Sequence, residues 1–142
     1  MIEMWTDGSA NPNPGPGGFA VLDGEGNPLV VRSSEGHQTT NIRMEGWALI
    51  AAMLYAKGRP CEIHTDSELW INILTKWAPG WERNNWRKKT GEIKNLDLVK
   101  KAYALFRKGN VKLIYVRGHV GTELNELADE MAKQGRKGDL RV

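Results

Sequence analysis

The chain has 142 residues and a formal net charge of +3 at pH 7, with 40% hydrophobic and 26% charged residues. This length fits one ordinary domain, and the composition excludes both a disordered chain and a membrane protein. The single cysteine, Cys61, excludes an internal disulfide, and the longest apolar run, residues 47–56, is shorter than the roughly 18 residues of a membrane span. The first residues lack the basic and apolar regions of a signal peptide. We therefore expect a cytoplasmic, single-domain protein without membrane contact.

The charge is unevenly distributed along the chain. Residues 81–108 contain nine basic and three acidic residues, which gives this stretch +6 and leaves −3 for the rest. Three of the six tryptophans, Trp77, Trp81 and Trp86, lie at or just before its start. This asymmetry suggests that one face meets a polyanion while another concentrates carboxylates. The alternative is a solvated pair of helices whose lysine side chains extend along apolar surface.

The first forty residues predict an antiparallel meander. Polar and apolar residues alternate over residues 1–6, which indicates a strand. The many prolines and glycines of residues 11–18 predict an ordered loop. Two further strands, 19–22 and 29–33, are joined by a turn sequence typical of a hairpin.

Helices and strands alternate in the remainder of the chain. Apolar residues at helical spacing predict a helix over residues 41–57 that is buried on more than one side, with Gly58 and Pro60 as stop signals. A strand at 62–66 precedes a helix at 67–77, which we expect Ser67 to cap and Pro79-Gly80 to break. The later predicted elements are a helix at 97–106, a strand at 111–116, a loop at 118–124 and a helix at 125–133.

This order predicts an α/β fold with one mixed five-stranded sheet. Helical crossovers connect parallel strands, so an antiparallel meander should continue into parallel strands, with helices covering the sheet. Ligands of such sheets collect at the carboxyl ends of the strands.

Two aspartates end predicted strands in matching surroundings. Asp7 lies in Thr-Asp-Gly-Ser and Asp66 in Thr-Asp-Ser. If the two strands are parallel neighbours, both carboxylates emerge at the same edge of the sheet. Asp is disfavoured in strands, so two aspartates at equivalent strand ends require a functional or structural explanation. The alternative is that each aspartate caps the turn or helix that follows it.

Two more carboxylates belong to predicted helices. Glu45 lies one turn inside the buried helix, where the helix dipole alone could account for it. Asp129 adjoins the packing face of the last helix, which Leu127, Ala128, Met131 and Ala132 form. Four carboxylates that converge at one sheet edge would repel one another without cations. Oxygen ligands suit Mg²⁺ or Mn²⁺, and two such ions can clamp the oxygens of a phosphoryl displacement. Beside a basic, aromatic strip, this predicts a nuclease.

These motifs together resemble the ribonuclease H type 1 family over nearly the whole chain. The matching segments, in order, are residues 6–9, 13–18, 40–45, 65–67, 116–121 and 125–129. The resemblance implies a single ribonuclease H domain at 1–134, a basic protrusion of the bacterial type at about 78–96, and a short basic tail at 135–142.

The resemblance also implies a chemistry. Asp7, Glu45, Asp66 and Asp129 would hold two Mg²⁺ ions, with Mn²⁺ as a possible substitute. The enzyme would be an endoribonuclease that hydrolyses the RNA strand of RNA/DNA hybrids and leaves 5′-phosphate and 3′-hydroxyl ends. The family gives His119 a role in proton transfer or product release, although an isolated loop histidine is otherwise ordinary. His37 and His64 keep that ordinary interpretation.

Further positions match substrate contacts of the family. The hybrid contacts are Gly8, Ser9, Asn13, Asn41, Asn125 and Glu126, and the pocket for a phosphate of the DNA strand is Thr40, Arg43 and Asn95. The protrusion that grips the DNA strand contributes Trp77, Trp81, Trp86, Arg87, Lys88 and Lys89. Ile42 and Glu68 depart from the family pattern, in which Asn and Gln are frequent, and such changes could weaken binding or shift the cleavage preference.

Three rival interpretations remain open from the sequence. An integrase-like or resolvase-like enzyme could share the fold, a hybrid-binding module could lack catalysis, and a fragment of a larger polymerase-associated protein could look similar. The loop around His119 and the tryptophan-rich protrusion argue against the first, and the presence of all four carboxylates argues against the second. We expect a self-contained monomer, although the apolar helix leaves room for self-association.

Overall fold

The computed structural model describes residues 1–88, 91–117 and 123–136. Its five strands are β1 (Ile2–Ala10), β2 (Gly15–Asp23), β3 (Pro28–Thr39), β4 (Cys61–Thr65) and β5 (Val111–Tyr115). Its helices are α1 (Asn41–Ala56), α2 (Glu68–Asn72), α3 (Ala78–Arg83), α4 (Leu96–Lys108) and α5 (Glu123–Arg136), and a π-helical turn, Ile73–Trp77, joins α2 to α3.

The strands form one mixed sheet in the order β3-β2-β1-β4-β5. The β1–β2 and β2–β3 pairs are antiparallel, whereas β4 is parallel to both β1 and β5. Helical crossovers connect the parallel strands, as the element order requires. The predicted fold class, an α/β domain with a mixed five-stranded sheet flanked by helices, is therefore confirmed.

Helices cover both faces of the sheet. Successive strand residues point to opposite faces, so Met4 packs into the core with α1 and α4 while Trp5 packs against Ala128 of α5. Within the described ranges, the model contains no helix with the length and apolar character that a bilayer crossing demands.

The apolar helix α1 is buried between the sheet and α4, as its apolar sequence predicts. The Thr40 hydroxyl caps its start by accepting a hydrogen bond from the Arg43 amide, and Lys57 ends it in the left-handed conformation. A Cβ atom at Gly46 would collide with the indole of Trp70 and lie 2.9 Å from Leu98 Cδ2. Glycine therefore lets α2 and α4 approach α1 closely.

The meander is longer than the sequence predicts, and the predicted loop at 11–18 is wrong in its second half. Strand β2 begins at Gly15, so only residues 11–14 connect it to β1. The ladder between β2 and β3 shifts register between Pro16 and Gly18, and such irregularities accommodate proline in a strand. A Cβ atom at Gly17 would collide with Thr39 and Met44, so this glycine serves close packing.

The predicted break at Pro79-Gly80 is also wrong. The chain passes from α2 through the π-helical turn directly into α3, where Pro79 occupies the first turn. Proline is tolerated there because the first amides of a helix have no partner within the helix. The Ala78 amide bonds back to the Ile73 carbonyl, five residues earlier, which is the π-helical spacing.

The last helix is longer than predicted. It spans Glu123–Arg136, so it begins before residue 125 and includes the first two residues of the predicted tail. Residues 137–142 lie outside the described residues. The division of the chain into a domain at 1–134 and a tail at 135–142 stays a prediction.

The close packing at Gly46 generates a test of the fold. We expect Gly46→Ala to lower the free energy of unfolding by about 1–3 kcal/mol, because the added methyl group must displace Trp70. Gly80→Ala is the matched control, since its methyl group would meet only the flexible end of Arg83, at 3.8 Å. It should instead stabilise α3 by about 0.5–1 kcal/mol. Equal effects of the two substitutions in urea unfolding would contradict this packing.

Candidate active site

Asp7 and Asp66 lie side by side because β1 and β4 are parallel. Thr6 pairs with Thr65 in the ladder, which places the next residue of each chain at the same level. Asp7 is buried inside β1 opposite Ala20, not at the end of the strand as predicted. The capping alternatives fail at both positions: Asp7 has no turn to cap, and the Ser67 hydroxyl accepts the capping bond from the Trp70 amide at 3.2 Å.

Glu45 reaches the same region from α1. It is the fifth residue of that helix, whose first turn contains no acidic residue, so the helix dipole does not account for it. A Cβ atom at Gly8 would collide with the backbone of Met44 and Glu45, so the glycine lets β1 touch the start of α1. Burial raises the pKa of Glu45 to about 7, a hydrogen bond with Ser67 opposes the rise, and the charge of Asp66 adds to it.

Asp129 completes the acidic group from α5. Burial, the charge of Asp66 and a hydrogen bond with the Asp129 carboxyl, in that order of size, together raise the pKa of Asp7 to about 9. The Gly8 amide opposes this by donating a 2.9 Å bond to Asp7 Oδ1. Lys133, one turn along α5, lies 3.1 Å from Asp129 Oδ2 and pairs with it. Four elements thus bring together the four predicted carboxylates, which we call the acidic row.

The acidic row has the donor atoms that a hard cation prefers, although these are not arranged as a preformed coordination site. Its donors are carboxylate oxygens, the ligands that Mg²⁺ and Mn²⁺ prefer. Within residues 1–88, 91–117 and 123–136, no three Asp, Glu, His or Cys side chains are arranged so that they would already hold a metal ion. The carboxylates interact in sequence, Asp129 with Asp7, Asp7 with Asp66, and Asp66 with Glu45. Asp129 contacts Asp7 and also pairs with Lys133 through Oδ2, so a cation at this end of the row would compete with the lysine.

The predicted hybrid contacts cluster at the end of the acidic row. Gly8 and Ser9 belong to β1, and Asn13 lies in the loop that follows it. Asn41, at the start of α1, joins them. Its side-chain Oδ1 accepts a 2.6 Å hydrogen bond from the Ala10 backbone amide, and its backbone amide donates one to Asn13 Oδ1 at 3.1 Å. These asparagines therefore tie the β1–β2 loop to α1.

Several predicted positions cannot be located. His119 and Lys89 lie outside the described residues, as do the side chains of Asn125 and its neighbours at the start of α5. Glu126 is described; it is exposed on α5, one turn before Asp129. His64 stacks on Trp5 with ring centroids 4.0 Å apart, in keeping with its ordinary interpretation.

The predicted phosphate pocket contains a partner that the sequence did not reveal. Arg43 donates to Asn95 Oδ1 at 3.2 Å and to both carboxylate oxygens of Asp97, at 3.1 and 2.9 Å. These bonds lower the pKa of Asp97. Asp97 therefore orients the Arg43 guanidinium beside Asn95. Arg43 and Asp97 are 54 positions apart in the sequence, so no local motif indicates that they pair. The third predicted member, Thr40, uses its hydroxyl to cap α1.

A mostly apolar groove of about 350 Å³ lies beside this pocket, and we call it the front groove. Ile42 and Leu69, each more than a third exposed, line it. Its other lining residues include the predicted Trp77, Trp81, Lys88 and Asn95. Trp86 lies apart from this groove and packs edge-on against Tyr103. The three tryptophans of the basic stretch therefore do not form a single surface.

Comparisons with known proteins agree on one family. The family model described as RNase H matches residues 1–137. A Ribonuclease H of Acidiphilium cryptum (strain JF-5) is 41% identical over 99% of this chain and 89% of its own length. A Ribonuclease H of Granulibacter bethesdensis is 40% identical over 96% of this chain and 92% of its own length. The crystal structure of LC9-RNase H1, described as a type 1 RNase H with the type 2 active-site motif, superposes with a TM-score of 0.82 at 29% identity, covering 99% of this chain and 74% of that one.

The mixed sheet, with carboxylates that approach one another from β1, from the end of β4 and from two flanking helices, is the arrangement of a nuclease of the hydrolase class. More specifically, the chain belongs to the RNase H family, whose members cleave RNA in RNA/DNA hybrids. The family and the enzyme class predicted from the motifs are confirmed.

The raised pKa values predict how stability depends on pH without metal. Between about pH 4 and 7 the folded protein retains protons on both Asp7 and Glu45 that the unfolded chain has released, and up to about pH 9 it retains the proton on Asp7. This contribution to stability is therefore present at low pH and is lost as pH rises. Asp7→Asn removes the larger part. At pH 8 in EDTA we expect the variant to unfold at least about 3 °C above the wild type, which corresponds to about 1 kcal/mol.

Comparing the two proteins by calorimetry cancels the contributions of titrating groups that do not interact with Asp7. The difference should shrink at pH 5, because this pH lies closer to the ordinary pKa of the unfolded Asp7 carboxyl and proton uptake on folding then costs less. It should shrink again at pH 8 when Mg²⁺ replaces EDTA. A variant that is less stable than the wild type at pH 8 in EDTA would contradict the repulsion described for the acidic row.

Proposed function

We propose that the protein is a metal-dependent endoribonuclease that hydrolyses the RNA strand of RNA/DNA hybrids and leaves 5′-phosphate and 3′-hydroxyl ends. The observation that carries this proposal is the burial of Asp7 beside Asp66 and Asp129, with its pKa raised to about 9. A buried carboxyl that is repelled by two others destabilises the fold unless cations neutralise the group. Cation-assisted phosphodiester cleavage would explain why the protein keeps a group of carboxylates that destabilises its fold.

Asp7, Glu45, Asp66 and Asp129 would hold two Mg²⁺ ions, with Mn²⁺ as a possible substitute. When bound, such ions lower the pKa of water and neutralise the charge that develops on the leaving oxygen. The protein's own part is to hold the four carboxylates on four different elements. Ser67 orients Glu45, the Gly8 amide orients Asp7, and Lys133 pairs with Asp129. For His119, the proposed role in proton transfer or product release rests on the family resemblance.

The two strands of the hybrid would lie on opposite sides of Glu45. The loop asparagines Asn13 and Asn41, with Gly8 and Ser9, lie on the side of the RNA strand, where 2′-hydroxyl groups distinguish RNA from DNA. The DNA strand would place one phosphate at Arg43 and Asn95 and its sugars in the front groove. The apolar lining of that groove suits deoxyribose, and Ile42 fits this lining better than it would fit a hydrogen-bonded base edge.

The proposal includes the remaining expectations from the sequence. These are a monomeric, cytoplasmic protein, a ribonuclease H domain at 1–134 whose protrusion at about 78–96 holds the DNA strand, and a basic tail.

The direct test is cleavage of labelled RNA/DNA, RNA/RNA and DNA/DNA duplexes of one sequence, with Mg²⁺ or with EDTA. We expect cleavage of the RNA/DNA hybrid alone, only with Mg²⁺, and products that carry 5′-phosphates. Asp7→Asn should lower kcat by at least about a thousandfold, because it removes a central carboxylate, while hybrid binding persists. Glu25→Gln, a matched loss of one carboxylate in the exposed turn between β2 and β3, should retain wild-type activity. Cleavage by Asp7→Asn at the wild-type rate would overturn the proposal.

A further inference from the structure

Two grooves continue from the front groove around the protrusion. The first, of about 580 Å³, shares Lys88 and Ile93 with the front groove and also contacts Arg87 and Trp86. The second, of about 570 Å³, shares Trp86 with the first and lies between α3 and α4, along Lys100, Tyr103 and Lys108. Neighbouring grooves share lining residues, so the three lie next to one another around the protrusion. We call the two grooves beyond the front groove the back path.

The back path is basic along its whole length. Arg87 and Lys88 line its beginning, and Lys100, Arg107 and Lys108 line its end. Glu92 and Glu82 are the acidic residues along it, and Glu82 is paired with Arg107 at 2.6 Å, which also ties α3 to α4. Neither Lys100 nor Lys108 forms an ion pair within the described part of the chain. The path therefore offers unneutralised positive charge to a polyanion.

Trp86 lies where the two grooves of the back path meet, and its backbone there has an energetically unfavourable conformation. Asn85 and Trp86 both adopt the left-handed conformation, with φ of 55° and 60°, which is rare for a bulky residue. The Trp86 amide bonds to the Trp81 carbonyl at 2.6 Å, and its ring packs edge-on against Tyr103 at 6.0 Å. Such conformations persist where the surroundings enforce them and cluster at functional sites. The indole is only partly buried, and the Lys100 ammonium lies over its ring, 5.9 Å from the ring centroid, so aromatic and positive groups meet at this point.

We propose that the back path binds single-stranded DNA that continues the DNA strand of the hybrid beyond the paired region. This rests on the proposed function, since the path begins at the groove assigned to that strand. A flexible single strand can follow a route that turns around the protrusion, whereas a duplex stays nearly straight over such a distance. Lysines that meet phosphates and a tryptophan that stacks on a base are the usual elements of single-strand binding.

The test compares one hybrid with blunt ends, with a single-stranded DNA extension of about twelve nucleotides at the 5′ end of its DNA strand, and with the same extension at the 3′ end. Each extension is also tested after it has been made double-stranded. For the wild type we expect a single-stranded extension on one side to lower KM at least fivefold. The double variant Lys100→Ala/Lys108→Ala should lose this advantage and cleave the blunt hybrid within twofold of the wild type. Arg32→Ala/Lys112→Ala removes the same charge from the two edge strands and should keep the advantage.

A second readout needs no catalysis. In EDTA, fluorescence anisotropy with a labelled twelve-nucleotide oligo(dT) should show weaker binding to Lys100→Ala/Lys108→Ala than to the control variant, with a salt dependence reduced by about one phosphate contact or more. If no hybrid is cleaved but the two double variants still differ in oligo(dT) binding, the proposed function is wrong while single-strand binding by the back path is supported. The back path is overturned if extensions do not change KM, if a double-stranded extension helps as much, or if both double variants behave alike.

Discussion

The parallel pairing of β1 with β4 is the constraint on which the candidate site depends. It places Asp7 and Asp66 on neighbouring chains at one level of the sheet, and the helices on the two faces then add Glu45 and Asp129. The Gly8 contact with α1 follows from the same requirement, because any side chain there would push Glu45 away from the strands.

This arrangement opposes the stability of the metal-free fold. Burial and mutual repulsion raise the pKa values of Asp7 and Glu45, so the site is partly protonated at neutral pH without cations. The rest of the domain compensates through ordinary packing, with α1 enclosed by the sheet, Trp70 and α4. A binding site that is strained until its ligand arrives can use that ligand to stabilise both the charge and the fold.

The sequence predicts the architecture well because the periodicity of each element agrees with its burial. It fails where tertiary packing overrides local preference: Gly15 and Pro16 enter β2 through a register shift, and Pro79 enters α3 after a π-helical turn. The four carboxylates stand out because each lies in a recognisable motif. Asp97 does not, since its pairing with Arg43 joins residues that are distant in sequence, and neither the back path nor the conformation of Trp86 has a local signal.

The central claim is that the acidic row is a divalent cation site. Titration of the wild type with Mg²⁺, followed by amide chemical shifts in two-dimensional NMR, tests it without substrate or turnover. Saturable shifts should centre on Gly8, Glu45, Asp66 and Asp129, and Asp66→Asn should weaken binding at least tenfold, or about 1.4 kcal/mol. Saturable binding of equal strength in Asp66→Asn, or shifts centred elsewhere in the chain, would contradict it.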